Sequence, residues 1–449
     1  MMKNINVNFS EACGKVKPMH AVNNGPVYKF TEDQRITNMS AWIEAGIPYA
    51  RTHDSAFYST YGGPHTVDVN LIFTNFAADP YLPESYDFAC TDEYLKVIDY
   101  SGTKIFYRLG ASIEHWVKKY NTLPPKDFKK WAVVCEHIIR HYTEGWADGF
   151  HYDIEYWEIW NEPDLDPDES MNKRTWGGTK AQFFDLYEVA AKHLKSAFPH
   201  LKIGGPALCY NLEWGKDFLV EMKRRNVPMD FFSWHRYAYD PVFVAEMAET
   251  VRKIMDEAGY TEAESINDEW NYVKGWTGDE WLNSLRAEKN LKGASYILAT
   301  MCACQYAPID MLMYYDARPS GMNGMFNTDW VCDLLKGYYP FKMFNELYRL
   351  GDCADVESDQ NLFACAAADD GKAAFVFTHF CDEAATPTKN VKISFHGFSG
   401  KNGVKASCYL LDEDKNLELV REEILSGDTY STVLKSTLYS SYLVVLEKM

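Results

Sequence analysis

EYWEIWNEPD, residues 155–164, is the stretch from which the rest of the chain is read. Its first half carries Tyr156, Trp157, Ile159 and Trp160 in close succession, the composition of a strand. Asn161 and Glu162 end the run, and Pro163 stops further pairing because proline has no N–H to give a ladder. A helix-forming pattern follows. A carboxylate at the C-terminal tip of a strand that feeds a helix is what one unit of a parallel barrel with its working groups at one mouth requires.

Seven more such units flank it. The runs VKPMHAV (16–22), IPYARTH (47–53), KIFYRLG (104–110), LKIGGPA (201–207), DFFSWHR (230–236), ESINDEW (264–270) and DMLMYYD (310–316) read as strands. Between them lie stretches with apolar residues at three- and four-residue spacing, at 31–46, 125–145, 179–198 and 241–259. Thr31, Asp92 and Thr179 mark expected helix starts, and Gly46, Gly145 and Gly259 expected stops. Eight strands alternating with helices predict a (β/α)8 TIM barrel. The competing architecture, an open doubly wound sheet, lacks a Gly-rich turn after its first strand here. A polar and aromatic segment at 54–90 is expected to be an ordered loop over the mouth.

Beyond residue 351 the pattern becomes short alternating strands separated by turns such as ADDGK and FSGKNG. These predict a smaller C-terminal antiparallel β-sandwich over 352–449, with the barrel at 16–351 and the strand at 1–15 joining the sandwich. A formal net charge of -19 disfavours nucleic acid and anionic membrane surfaces as partners. Thirty tyrosines, 25 phenylalanines and 13 tryptophans suit stacking on the apolar face of a sugar, and cores use such rings too. The 11 scattered cysteines, Cys302 and Cys304 in MCAC included, read as reduced, mostly buried thiols. With no apolar leader and no spanning run, a cytoplasmic protein is expected.

Two glutamates sit at predicted strand ends far apart in sequence: Glu162, and Glu269 in ESINDEWNY. Breaking a glycosidic bond needs two carboxyl groups flanking one carbon, and the ends of the fourth and seventh strands can supply them. The bland reading of either is a solvated glutamate opening a loop. Asp268 adjoins Glu269, and strand alternation predicts that only one of the two faces the barrel axis. His137 and His141 share a helix face at a spacing that can bind zinc, but a solvated face is the expected reading.

YARTHD (49–54), EIWNEPD (158–164), IGGPA (203–207), SWHRYAY (233–239) and NDEWN (267–271), in this order, resemble clan A glycoside hydrolases and most closely family 39, the family of β-xylosidases and α-L-iduronidases. The resemblance spans the barrel. It implies a retaining double displacement, with the acid/base at Glu162, the nucleophile at Glu269, and substrate contacts at Asn161, His235 and Tyr237. For Arg51 and His53 it leaves open a sugar contact or a salt bridge beneath the mouth. The chain departs from the pattern in two places. Asp268 stands where the family usually has Thr. Tyr315, Asp316 and Arg318 lie where xylosidases present a Trp platform, and Arg318 equally suits an acidic sugar. The expected substrate is an oligosaccharide or glycoside, with no metal and no organic cofactor, and the resemblance allows a homo-oligomer. An exo-acting β-xylosidase-like enzyme leads. The alternatives are the same chemistry on another glycoside (arabinofuranosidase, glucuronidase-like or endo-glycanase) or a non-catalytic carbohydrate-binding barrel.

Overall fold

All eight apolar runs contribute a strand to one closed parallel barrel. The computed structural model describes residues 2–30, 35–53, 67–115, 117–119, 121–382 and 389–449. After β1 (Lys3–Lys15) come the barrel strands β2 (Ala21–Asn23), β3 (Tyr49–Thr52), β4 (Lys104–Leu109), β5 (Tyr156–Ile159), β6 (Lys202–Leu208), β7 (Phe231–His235), β8 (Glu264–Trp270) and β9 (Met311–Tyr314). Parallel pairing of β2 with both β3 and β9 closes the ring.

Alternation along each strand stacks the interior in layers. Ala21, Phe106, Tyr156, Phe231, Ile266, Met311 and Met313 form a buried apolar plug. Two residues further along the same strands, the inward positions turn polar: Asn23, Arg108, Glu158, Ser233 and Asp268, all fully buried. Arg51, two residues past Tyr49, joins this layer. The plug excludes water from one end of the barrel and sets a charged layer directly beneath the other.

Helix punctuation follows local chemistry. Thr179 caps the helix Lys180–Ala197 in a reciprocal box with Gln182. Gly46 and Gly145 end their helices in the left-handed conformation, where a side chain is disfavoured. Gly259 follows the helix Pro241–Glu257 with φ 86°. Three expectations change. Asp92 lies inside the helix Ala89–Tyr100, and its carboxylate serves His141 at 3.0 Å and Tyr142 at 2.9 Å. The helix expected from 31 begins only at Met39, and Thr31 lies outside the described residues. Within the loop expected over the mouth, 54–66 lies outside the described residues, Asp68 reaches the inward Arg108 at 2.7 Å, and 73–88 packs beside the helix Phe128–Glu144. There Tyr86 stacks on Phe88, and Phe88 on His141. This covering buries His137 and His141, correcting the solvated face expected of them.

The remaining strands are β10 (Asp352–Ser358), β11 (Leu362–Ala368), β12 (Lys372–His379), β13 (Lys389–His396), β14 (Val404–Leu411), β15 (Asn416–Leu425), β16 (Thr429–Ser436) and β17 (Ser441–Lys448). With β1 they form one sheet of nine, ordered β15-β14-β17-β12-β11-β10-β1-β13-β16. β1 runs antiparallel to β10 and parallel to β13. The sheet folds over its own apolar face: Phe375 of β12 and Phe395 of β13 meet at 5.9 Å. Its two edge strands approach each other, and Arg421 of β15 donates to Thr432 of β16 at 2.8 Å. The expected sandwich is thus a single sheet curled on itself.

Candidate active site

The cavity over the C-terminal ends of the barrel strands measures about 760 Å³. Its wall includes His53, Asn161, Glu162, His235, Tyr237, Glu269 and Tyr315, residues from five different strand ends. Arg51 lies beneath the wall, fully buried, and Arg318 stands outside it beside Asp316 at 3.3 Å.

Glu162 is held by the backbone around it. Trp160 donates its N–H to Leu109 O at 2.7 Å, and Glu162 its own to Ala207 O at 2.9 Å. Trp160 and Glu162 both take positive φ, 76° and 48°, a conformation that costs a non-glycine residue energy and recurs where geometry is imposed by function. Asp164, two residues on, is buried and accepts the backbone N–H groups of Cys209, Tyr210 and Asn211 at 2.7–3.0 Å. It thereby fastens the segment after β6 beside Glu162.

Glu269 reaches the cavity through a bulge. Trp234 of β7 pairs with Asn267, but His235 pairs with Glu269, so Asp268 is an extra residue in β8. Asp268 keeps the inward phase of Ile266, and the bulge turns Glu269 inward as well. This corrects the expectation that only one of the two faces the axis. Glu269 Oε1 accepts from Arg51 Nη1 at 2.9 Å and lies 3.5 Å from His53 Nε2. Its Oε2 accepts from the Tyr237 hydroxyl at 2.7 Å.

Arg51 organises the layer below. Its guanidinium meets Glu158 at 2.7 Å, Asp268 at 3.1 Å and Glu269 at 2.9 Å, and also donates to Asn161 Oδ1 at 2.7 Å and Asn23 Oδ1 at 3.1 Å. One cation cannot neutralise three carboxylates. Burial, with the charge of Asp268, pushes Glu158 up to about 8 against the pull of Arg51, so near neutral pH Glu158 keeps its proton. Burial alone would raise Asp268, but Arg51 and His235 hold it below its usual range. Burial also pushes Glu269 up to about 7, opposed by His235 and Arg51 and aided by Glu162 and Asp268. His235 Nδ1 stands 2.9 Å from Glu162 and its Nε2 stands 3.3 Å from Asp268. Burial pulls its pKa down, yet the charges of Glu269 and Asp268 hold it well above the ordinary imidazole value.

One oxygen each of Glu162 and Glu269 and a ring nitrogen of His235 all lie within 4.8 Å of one another, a set that could hold a cation. The raised His235 pKa works against that, because a ligating imidazole must be neutral. An approach of one oxygen of each carboxyl to within 4.8 Å suits the ~5–5.5 Å spacing of a double displacement better than the ~6.5–9.5 Å that leaves room for a water between the groups.

The family profile described as "Glycosyl hydrolases family 39" matches residues 23–283. The chain belongs to glycosyl hydrolases family 39. It is similar to a β-xylosidase of Geobacillus stearothermophilus, 38% identical over 28% of this chain and 23% of that protein. A β-xylosidase of Caldicellulosiruptor saccharolyticus is 27% identical over 57% of this chain and 53% of the relative. The chain therefore spans about half, or less, of the length of these family 39 relatives. A solved structure of a glucosidase from Croceicoccus marinus superposes with TM-score 0.82 at 20% identity, covering 100% of this chain and 99% of that one, which shows a shared fold.

Sequence reasoning passed over several residues of this family 39 site. Glu158 could have been found by alternation, since it is an acid in phase with the plug residue Tyr156. Asp164 stands in the EIWNEPD motif, but its role as acceptor for the segment after β6 depends on tertiary contacts. Trp276 had no strand or motif to announce it. It borders the cavity with its ring 4.9 Å from Tyr237 and stacks on Trp281 at 5.3 Å.

Proposed function

We propose that the chain is a retaining glycoside hydrolase, with Glu162 as general acid/base and Glu269 as nucleophile. The separation of the two carboxyls carries this reading. Glu162 protonates the leaving oxygen while ionised Glu269 attacks the anomeric carbon, forming a glycosyl-enzyme. Glu162 then takes a proton from water, which releases the sugar with its configuration retained. Arg51 and Tyr237 hold the charge and orientation of Glu269. With Asn161 Oδ1 held by Arg51, the amide donor of Asn161 is the end left for a sugar hydroxyl. His53 and Tyr315 complete the sugar-side wall. The names of the relatives support a β-xylosidase, and exo action is our reading. Tyr315 in place of a Trp platform favours testing other pentosides and hexosides beside it. Among the described residues no helix is long and apolar enough to cross a membrane, and all 11 cysteines are free thiols, which suits a reducing, cytoplasmic setting.

The test is a panel of 4-nitrophenyl glycosides followed by NMR of the first-formed anomer. The β-xyloside should be cleaved to β-xylose first. Glu269→Gln should lose about 10³-fold or more in kcat on every substrate. Glu162→Gln should lose ~10²–10⁴-fold on unactivated glycosides and far less where the leaving group needs no proton. An inverted first product, or wild-type rates in both variants, would sink the assignment.

A further inference from the structure

The segment that follows β6 runs along Glu162. The Cys209 thiol hydrogen-bonds the Glu162 carboxylate, and the next residue, Tyr210, borders the cavity. The backbone here is fixed, because the N–H groups of Cys209, Tyr210 and Asn211 all end on the buried Asp164 carboxylate. Tyr210 itself is nevertheless 64% exposed. Its hydroxyl lies 3.5 Å from Leu165 O, which sets the ring against the loop that leaves Glu162. A large ring on a rigid backbone, open at a cavity mouth, is a preformed stacking surface with little freedom left to lose when something packs on it.

Its place decides which part of a substrate it meets. Glu162 must reach the leaving oxygen, so the leaving group lies on the Glu162 side, while Asn161, Tyr237 and Glu269 serve the sugar under attack. Also beside Glu162, the Thr175 hydroxyl donates to Glu162 O, and Arg174 joins the cavity wall. Arg174 forms a two-pronged pair with Asp166, 2.8 Å at its shortest, so the two present a polar edge without net charge. Tyr210 also borders a neighbouring hollow of about 410 Å³, edged by Asp168, Asn211 and Glu213. An aromatic face ringed by polar groups matches a sugar, which has an apolar C–H face and a rim of hydroxyls; an apolar aglycone would cover those groups without bonding them. We propose that Tyr210 is the stacking platform for an uncharged leaving sugar, and that the preferred substrate is a disaccharide or longer oligosaccharide. This rests on the glycosidase reading above.

The probes are xylobiose and β-xylosyl fluoride, or the matching pair if the aryl panel selects another sugar. Both place the same sugar over Glu269, but fluoride is a single atom and has no face to stack. The quantity read is the ratio of kcat/KM for the disaccharide to that for the fluoride. Because each ratio is taken within one protein, a general loss of fold or activity cancels. It should fall about tenfold in Tyr210→Ala and stay within about twofold of wild type in Tyr210→Phe, which keeps the ring. A ratio unchanged in Tyr210→Ala, a fall as large in Tyr210→Phe, or a wild type that cleaves the fluoride and not the disaccharide overturns the proposal. If wild type cleaves neither, the hydrolase reading fails instead, and calorimetry with intact xylobiose decides the platform. Binding that Tyr210→Ala weakens about tenfold supports it, and equal binding, or none in wild type, overturns it.

Discussion

His235 has acidic groups on both sides, Glu162 at 2.9 Å through one ring nitrogen and Asp268 at 3.3 Å through the other. Its charge, with that of Arg51, lets Asp268 and Glu269 lie side by side in a dry barrel. Tyr237 adds the hydroxyl that Glu269 accepts at 2.7 Å. Under the mechanism proposed, the acidic limb of kcat/KM reports ionisation of Glu269, whose pKa burial pushes up to about 7. Tyr237→Phe removes a bond made to the charged form, so that limb should move to higher pH by about one unit and kcat should fall. A pH–rate profile of the variant checks this, and an unmoved limb would show that Tyr237 does not hold the nucleophile. Arg51 could be read from the sequence only as one of two options, because its motif shows neither depth nor partners. Full burial beneath Glu269 gives it the task of a salt-bridge hub.

The strands owe their spacing to residues whose reasons are steric. A Cβ added at Gly204 of β6 would stand 2.3 Å from Phe231 O and 2.5 Å from the Phe231 ring. Gly204→Ala must therefore push β6, whose Ala207 O holds Glu162, away from β7, which carries His235. Overpacking of this kind costs about 1–3 kcal/mol or more, so the variant should melt several degrees lower and lose activity beyond its loss of folded fraction. A Tm equal to wild type would mean that the two strands give way freely. The same elements show where periodicity misled. Alternation puts Tyr156 and Glu158, or Phe231 and His235, on one face, but it assumes an unbroken ladder. The extra residue at Asp268 breaks it, and no propensity in NDEWN signals a bulge whose cause is the neighbouring strand.

The barrel and the curled sheet join through the barrel's last elements. Asp382, just past β12, is an anchor for Tyr272, for Lys274 at 2.8 Å and for Lys292 at 2.6 Å, and these ammonium groups help hold its carboxyl below the usual range. Ser295 and Thr378 meet nearby at 2.7 Å. Where the final barrel helix, Tyr338–Leu350, closes on the first strand, His20 is fully buried against Phe344 and Tyr348. Burial drives its pKa down to about 3. The folded value lies below the unfolded one, so the stabilisation is complete above about pH 6.5 and is lost as pH falls towards 3. The loss approaches ~1.4 kcal/mol per pH unit in that window. Thermal melts of wild type and His20→Phe between pH 7.5 and 4.5 should diverge in slope, wild type falling faster. Parallel slopes would mean that His20 protonates without unfolding the chain.

Strand count, helix stops and the two glutamates follow from sequence because each is a local matter: a run of apolar residues, a glycine that alone tolerates a left-handed turn, a carboxylate stranded before a proline. Depth, pairing and distance are not local. That Arg51 lies under the cavity, that His137 and His141 are covered and that the edges of the second sheet approach each other all depend on which segments the fold brings against each other. Those contacts arise from burial summed over the whole chain, which no single stretch of it encodes.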